Sequence, residues 1–369
     1  MLLLVAALAG HVCVWVAVIN RVHGRAWRCR TLQRWRNAIV AVNLAVPVVL
    51  AAWVLGGTQP ELSTAQSAVL GILSAGLLLP FGSALRYWQP APSVLVAETG
   101  ERFDVSGDAS VGDGPVAALA KLPGNEFREI ELTRKTLALP SLMPGQSLRI
   151  LHLTDWHFTG TPDRRFYERA TELCRQTPID LVLFTGDLID RMELLDWIEP
   201  TLGTLSAPLG CWFILGNHDW MQQPEPIRQA MVAAGWNDLA GRVATLDAGR
   251  LRIQLGGSER PWMGEEPSFG GDGLRVALMH TPDRIGWAVR NGCDLALAGH
   301  NHGGQVRLPG IGPLLVPARS GTRYAGGVYD RDGCVLHVGR GLGSLHPLRW
   351  NCPPEIAVLT LQSGQKPVG

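Results

Sequence analysis

Cys211-Trp212-Phe213-Ile214-Leu215 carries no charge and runs directly into Gly216-Asn217-His218-Asp219. A short apolar run that stops at a glycine, an amide, an imidazole and a carboxylate reads as a buried strand ending in a polar turn. The figure recurs four times. Residues 148–154 run into Asp155-Trp156-His157, and residues 180–185 into Gly186-Asp187. Residues 274–279 run into His280, and residues 294–298 into Gly299-His300-Asn301-His302. Helical patterns fill the spaces, at residues 164–176, 193–205, 224–234 and 282–290. A loosely alternating stretch at residues 129–139 predicts an opening strand. Strands alternating with helices define an α/β body. In such sheets ligands collect outside the carboxyl ends of the strands, so the five polar turns are expected to meet at one edge.

The donors gathered there define the chemistry. They comprise Asp155, Asp187 and Asp219, five of the ten histidines (His157, His218, His280, His300 and His302) and Asn217, with no cysteine. Imidazole with carboxylate and amide oxygen suits Mn²⁺, Fe or Zn²⁺. The set is too large for one tetrahedral ion. With one carboxylate placed to bridge, it fits two divalent ions about 3.5–4 Å apart. Glycines at 186, 216 and 299 allow the backbone to turn sharply beside them. Each turn alone is a weak signal, and the order of all five carries the reading. His152, His337 and His346 lie outside the pattern and are expected to be structural.

The order D-x-H, G-D, G-N-H-D, H, G-H-x-H resembles the calcineurin-like metallophosphoesterases, over about residues 125–362. Gly299-His300-Asn301-His302-Gly303-Gly304-Gln305 with Leu308-Pro309 is similar to the signature of one bacterial branch. So are Tyr324-Ala325-Gly326-Gly327, Arg340-Gly341-Leu342-Gly343 and Pro354-Glu355-Ile356. That branch holds membrane-associated phosphodiesterases, including UDP-2,3-diacylglucosamine pyrophosphatases. The resemblance implies a four-layer α-β-β-α sandwich. It implies that Asp155, His157 and His302 hold one ion, that Asn217, His280 and His300 hold the other, and that Asp187 bridges them. His218 would be the acid near the leaving group, with Asp219 orienting it. Mn²⁺ is the leading metal, with Fe or Zn²⁺ as alternatives. Hydroxide generated between the two ions would attack phosphorus. Thr154, Ala298 and Asn301 depart from the usual residues, but none is an expected ligand. Residues 256–259 lack the acidic pair often found in the branch.

The rest of the chain bears on location. The sequence has 369 residues and a net charge of +1. Residues 1–90 hold seven Arg, no Lys and only Glu61 as an acid, a net +6, which leaves the body at −5. An acidic body disfavours nucleic acid as a partner. Seven scattered cysteines, none in C-x-x-C spacing, argue against a disulfide framework. Residues 1–19 and 38–57 are charge-free runs, and residues 65–85 form a weaker one. Each is long enough to cross a bilayer. The expected organisation is therefore a membrane segment (1–90) with about three transmembrane helices, a linker (91–124) and a metallophosphoesterase domain (125–369). Six Arg between Arg21 and Arg36 place that loop in the cytoplasm of a multi-pass inner-membrane protein; if the weak third run spans, the body is cytoplasmic, as Arg86 favours, and if it does not, the body is outside.

The leading function is hydrolysis of a phosphodiester or pyrophosphate bond in a membrane-associated, lipid-linked substrate of UDP-2,3-diacylglucosamine or phospholipid type. The alternatives are a tethered phosphodiesterase or phosphatase for soluble substrates such as cyclic nucleotides or phosphoprotein, and a non-enzymatic scaffold. The oligomeric state is left open by the sequence.

Overall fold

The computed structural model describes residues 2–23, 27, 29–56, 62–313 and 316–364. The chain divides into two compact units, one of Met1–Gln89 with Leu308–Arg323 and the other of Pro90–Arg307 with Tyr324–Gly369.

The first unit is helical: α1 (Leu2–His23), α2 (Cys29–Leu55), α3 (Thr64–Ser74) and α4 (Leu78–Tyr87). Three stretches are long and apolar enough to cross a membrane: Leu2–Ile19, Asn37–Leu55 and Thr64–Tyr87. Two polar side chains inside them bond the carbonyl one helical turn back, a local pairing compatible with an apolar surrounding. Asn43 Nδ2 donates to the Ile39 carbonyl at 2.9 Å, and Ser74 Oγ to the Leu70 carbonyl at 2.7 Å. The third stretch is interrupted by a 3₁₀ turn at Ala75–Leu77, which separates α3 from α4. Of the arginine-rich segment, Arg21 falls in α1 and Arg30, Arg34 and Arg36 in α2. Arg25, Arg28 and Glu61 lie outside the described residues. The insertion Leu308–Arg323 packs on α4: Ser83 and Thr322 share a hydroxyl hydrogen bond of 2.7 Å, and Trp88 Nε1 donates to the Gly310 carbonyl.

The second unit is built on two sheets. The first orders β1 (Leu95–Asp104), β2 (Glu129–Leu139), β15 (Glu355–Ser363), β3 (Ser147–Leu153), β4 (Leu181–Phe184), β5 (Cys211–Phe213) and β6 (Asn237–Asp238). The second orders β13 (Gly327–Arg331), β14 (Cys334–Val338), β10 (Leu295–Ala298), β9 (Leu274–Met279), β8 (Leu251–Ser258) and β7 (Val243–Ala248). A two-stranded ribbon joins β11 (Arg307–Leu308) to β12 (Gly312–Pro313).

Strand periodicity explains the layers, because alternate side chains take opposite faces. Leu148 and Ile150 of β3, Val276 and Leu278 of β9, and Leu295 and Leu297 of β10 share one core between the sheets. Leu151 and Leu153 face outward with Phe166 and Tyr167 of α5 (Arg164–Arg175) and Ile227 and Met231 of α7 (Pro224–Ala233). Ala277, Met279, Ala296 and Ala298 face the other way, onto Trp287 and Ala288 of α8 (Ile285–Arg290). The result is helix, sheet, sheet, helix. Both faces of the central strands are buried, which is why those segments read as continuous apolar runs. β3, β4 and β5 pair in parallel, as do β8, β9 and β10, so each group ends together.

Two expectations need correction. Residues 91–124 are not merely a linker, because β1 pairs antiparallel with β2 over Leu95–Asp104. This edge strand is mostly solvent-exposed and its polar sequence hid it. Residues 193–205 form two 3₁₀ segments, Met192–Trp197 and Leu202–Thr204, instead of one α-helix. Pro200 stands between them and cannot donate to a helical ladder.

Candidate metal centre

Each predicted turn leaves its strand where the sequence places it. Asp155 follows β3, Asp187 follows β4, Asn217 and His218 open α6 (Asn217–Met221) after β5, His280 follows β9, and His300 and His302 follow β10. Five of these residues sit in the left-handed region, with φ of 52° at Asp155, 48° at His157, 59° at Asp187, 69° at His300 and 49° at His302. Non-glycine residues there are strained by about 1–3 kcal/mol each, and such strain gathers where side chains must be aimed. Glycine is required where two turns touch. A Cβ at Gly216 would collide with the Asp187 carboxylate, and one at Gly299 with Thr154 Oγ1 and the Asp155 carboxylate.

All seven expected ligands converge. Ligand atoms of Asp155, His157 and His302 lie within 4.8 Å of one another, and so do those of Asp187, His280 and His300. Asn217 Oδ1 joins the second group, 3.1 Å from His280 Nε2. Asp187 Oδ2 faces both, at 3.1 Å from His280 Nε2 and 3.7 Å from His157 Nε2. His218 stands beside them, its backbone N–H donating to Asp187 Oδ1 at 2.8 Å.

The donor set fits divalent cations. His280 Nδ1 donates to the Thr185 carbonyl at 2.7 Å, which leaves Nε2 as its lone-pair atom. His157 Nδ1 lies 2.6 Å from the Asp190 carboxylate, with the same consequence for its Nε2. That atom lies 3.1 Å from His302 Nε2, and His280 Nε2 lies 3.2 Å from His300 Nδ1. Lone pairs and carboxylates converging at such distances in a buried site call for positive charge. Burial pulls the His280 pKa down, but the Asp187 and Asp155 charges outweigh it and push it up to about 9. Two ions would meet the same demand in place of protons.

Asp219 does not orient His218 as expected. Its carboxylate accepts four backbone N–H bonds, from Asp187, Leu188, Ile189 and Gly216, at 2.9–3.0 Å. Burial, reinforced by the neighbouring Asp187 charge, pushes its pKa up to about 6 even so. The residue that touches the His218 ring is Asp190, with Oδ1 2.5 Å from Nδ1. Its other oxygen holds His157, so one carboxylate aims both rings. Asp190 ends Gly186-Asp187-Leu188-Ile189-Asp190, and its position three residues past Asp187 was the only signal in the sequence.

Trp262 was also missed. Its ring centroid lies 5.7 Å from that of His280 and 5.3 Å from that of His300. Its loop is held by Glu259, which accepts from Leu215 N at 2.7 Å and pairs with Arg228 at 2.9 Å. His152 and His337 are buried and share an Nδ1–Nδ1 hydrogen bond of 2.8 Å, as structural histidines do, while His346 is exposed. Cys174, Cys211, Cys293, Cys334 and Cys352 are free and buried, with no role at the centre's ligand atoms.

A family model described as calcineurin-like phosphoesterase matches residues 148–304. The chain is 30% identical over 249 residues to the uncharacterized metallophosphoesterase YkuE of Bacillus subtilis (strain 168), covering 63% of this chain and 86% of that one. It is 28% identical to phosphodiesterase YaeI of Escherichia coli (strain K12), covering 58% of this chain and 82% of the relative. It is 24% identical to UDP-2,3-diacylglucosamine pyrophosphatase LpxG of Chlamydia muridarum (strain MoPn / Nigg), covering 62% and 88%.

Proposed function

We propose, from the premise that this chain belongs to the calcineurin-like metallophosphoesterase family and is a metal-dependent phosphoric ester hydrolase, that it cleaves a phosphodiester or pyrophosphate bond in a membrane-associated substrate. The observation that carries this is two adjoining donor triads on a chain that also has three span-length apolar helical stretches. The substrate class is a lipid-linked phosphate of UDP-2,3-diacylglucosamine or phospholipid type. The enzyme works at the inner membrane with its catalytic unit on the cytoplasmic side, as the arginine-rich segment favours.

Asp155, His157 and His302 would hold one ion, Asn217, His280 and His300 the other, and Asp187 would serve both. When bound, the two ions, Mn²⁺ as the leading candidate, supply Lewis acidity toward the phosphoryl oxygens and lower the pKa of water. The chain's own residues do the rest. Asp190 fixes the His218 ring through Nδ1, so Nε2 is the edge left for the leaving oxygen. Burial alone would discharge that ring. The Asp190 and Asp187 charges outweigh it and raise the pKa, which favours the protonated ring, and Nε2 is the atom from which that proton can be donated.

The test is an assay of the purified, detergent-solubilised chain with Mn²⁺. Its substrates are UDP-2,3-diacylglucosamine, glycerophospholipids, a cyclic nucleotide and an aryl phosphodiester. Preference for a lipid substrate supports the reading, and preference for the soluble esters over every lipid refutes it. A reporter fused after Arg86 checks the side of the membrane, and an external reporter would exclude a cytoplasmic lipid precursor.

A further inference from the structure

Arg349 is among the largest fully buried side chains, at 1% exposure. Among the described residues no carboxylate lies within 4.0 Å of its guanidinium. A buried cation without a counter-charge is costly unless its donors are occupied. Here carbonyl oxygens occupy both terminal nitrogens, while Nε is buried without an acceptor. Nη1 donates to the His302 carbonyl at 3.2 Å and to the Arg340 carbonyl at 2.7 Å. Nη2 donates to the Gly343 carbonyl at 2.6 Å and more weakly to the Gly341 carbonyl at 3.4 Å.

These acceptors lead to one half of the metal centre. His302 is an expected ligand in a strained conformation, with φ 49°, and Arg349 holds its carbonyl directly. The loop over Gly341–Gly343 is the other anchor. From it Leu342 N and Gly343 N donate to the Asp155 carbonyl, at 3.1 and 2.8 Å, and Asp155 is a second expected ligand in the left-handed region. The Arg349 backbone is itself pinned, with its N–H on Asn125 Oδ1 at 2.9 Å and its carbonyl accepting from Glu126 N at 2.8 Å. Among the described residues, Arg349 makes no hydrogen bond or ion pair with Asp187, Asn217, His280 or His300. The planar fork of guanidinium donors suits this task, and a lysine ammonium could not span the same carbonyls.

We propose that Arg349 is a positioning residue for the Asp155–His157–His302 half of the centre alone, acting on the backbone of two ligands and on the ring of His302, whose Nδ1 lies 3.4 Å from Nη2. It rests on the assignment of these residues as metal ligands, so the wild-type stoichiometry is measured first. Two ions per wild-type chain support that assignment, and fewer than two would refute it independently of Arg349. Given two, R349M should retain cooperative thermal unfolding while affinity for one ion falls about 10–100-fold, the range for residues that orient ligands. At Mn²⁺ concentrations that just saturate the wild type, R349M should then hold about one ion by mass spectrometry.

Double variants identify the half affected. R349M/H302A should bind no less metal than H302A, whereas R349M/H300A should bind less than either parent. Guanidinium at millimolar concentration should restore the second ion to R349G. An R349M chain that binds both ions with wild-type affinity, or loses both equally, overturns the proposal. If R349M does not unfold cooperatively, R349K decides: weakened binding of one ion supports the proposal, and wild-type affinity for both overturns it.

Discussion

Two polar clusters are buried within the same sandwich, and they are closed in opposite ways. In the first, Lys135 Nζ lies 2.7 Å from Glu355 Oε1, and Glu355 Oε2 accepts from Arg340 N at 2.9 Å. Glu131 takes the Arg340 guanidinium at 2.5 Å, and His152 and His337 share one hydrogen bond. Each charge meets its opposite inside the cluster, and none of these residues has a positive φ. In the second, imidazole lone pairs and carboxylates face one another, and five of the residues are strained. The first cluster arrives with its partners and serves the fold. The second is held against its own backbone and against like neighbours, which is the mark of a site kept for a ligand.

The comparison can be broken most sharply at Asp187. D187A removes the carboxylate that faces both triads, and hydrolysis should fall by roughly 10³-fold or more, with loss of bound metal. H218N should keep both ions and lose about 10²–10⁴-fold in kcat. Unchanged turnover would remove His218 from the mechanism.

E355A, in the self-closed cluster, should do the reverse. It leaves Lys135 without its closest counter-charge and should cost about 3–5 kcal/mol of stability, while metal stoichiometry holds at two. Asp190 and Asp219 sharpen the contrast within one motif. D190A should weaken metal affinity about 10–100-fold and slow turnover, because it releases the rings of His157 and His218. D219A should act on stability, since four buried N–H groups lose their acceptor at about 1–3 kcal/mol for each left unmet.

The smallest expected effect is on pH. Burial lowers the pKa of His152 to about 4, against 6.5 for an ordinary histidine. The unfolded chain therefore binds a proton that the folded chain refuses between those values, so stability falls as pH drops through that window. The slope for this group approaches about 1.4 kcal/mol per pH unit. Thermal unfolding of metal-free H152N beside the unsubstituted chain from pH 7 to pH 4.5 isolates it from Asp219, whose raised pKa acts with the opposite sign, and a stability difference that does not change with pH would contradict the assignment of His152 as a neutral buried ring.

Much of the centre was legible because both faces of its strands are buried. A central strand such as Leu295–Ala298 reads as an unbroken apolar run, and its end is marked by the polarity of Gly299-His300. What depends on long-range contact was not legible. β15 inserts between β2 and β3, more than two hundred residues away in sequence, and no local pattern announces its neighbours. The exposed edge strand β1 buries too little to show an apolar rhythm. Asp190 follows two apolar residues and looks like a cap, and only the fold brings His157 and His218 to it. Asp219 lies beside His218 in sequence, yet α6 turns its carboxylate toward backbone donors.

The buried histidine and aspartate cluster of this chain has the donors of a two-ion phosphoesterase centre. The most direct test strips the detergent-solubilised full chain with a chelator and titrates Mn²⁺ back while following bound metal and hydrolysis of a phosphodiester together. A two-ion centre should show no turnover in the stripped protein, binding of two equivalents, and activity that recovers with the second. Full activity in the metal-free chain, or saturation of both signals at one equivalent, would contradict it.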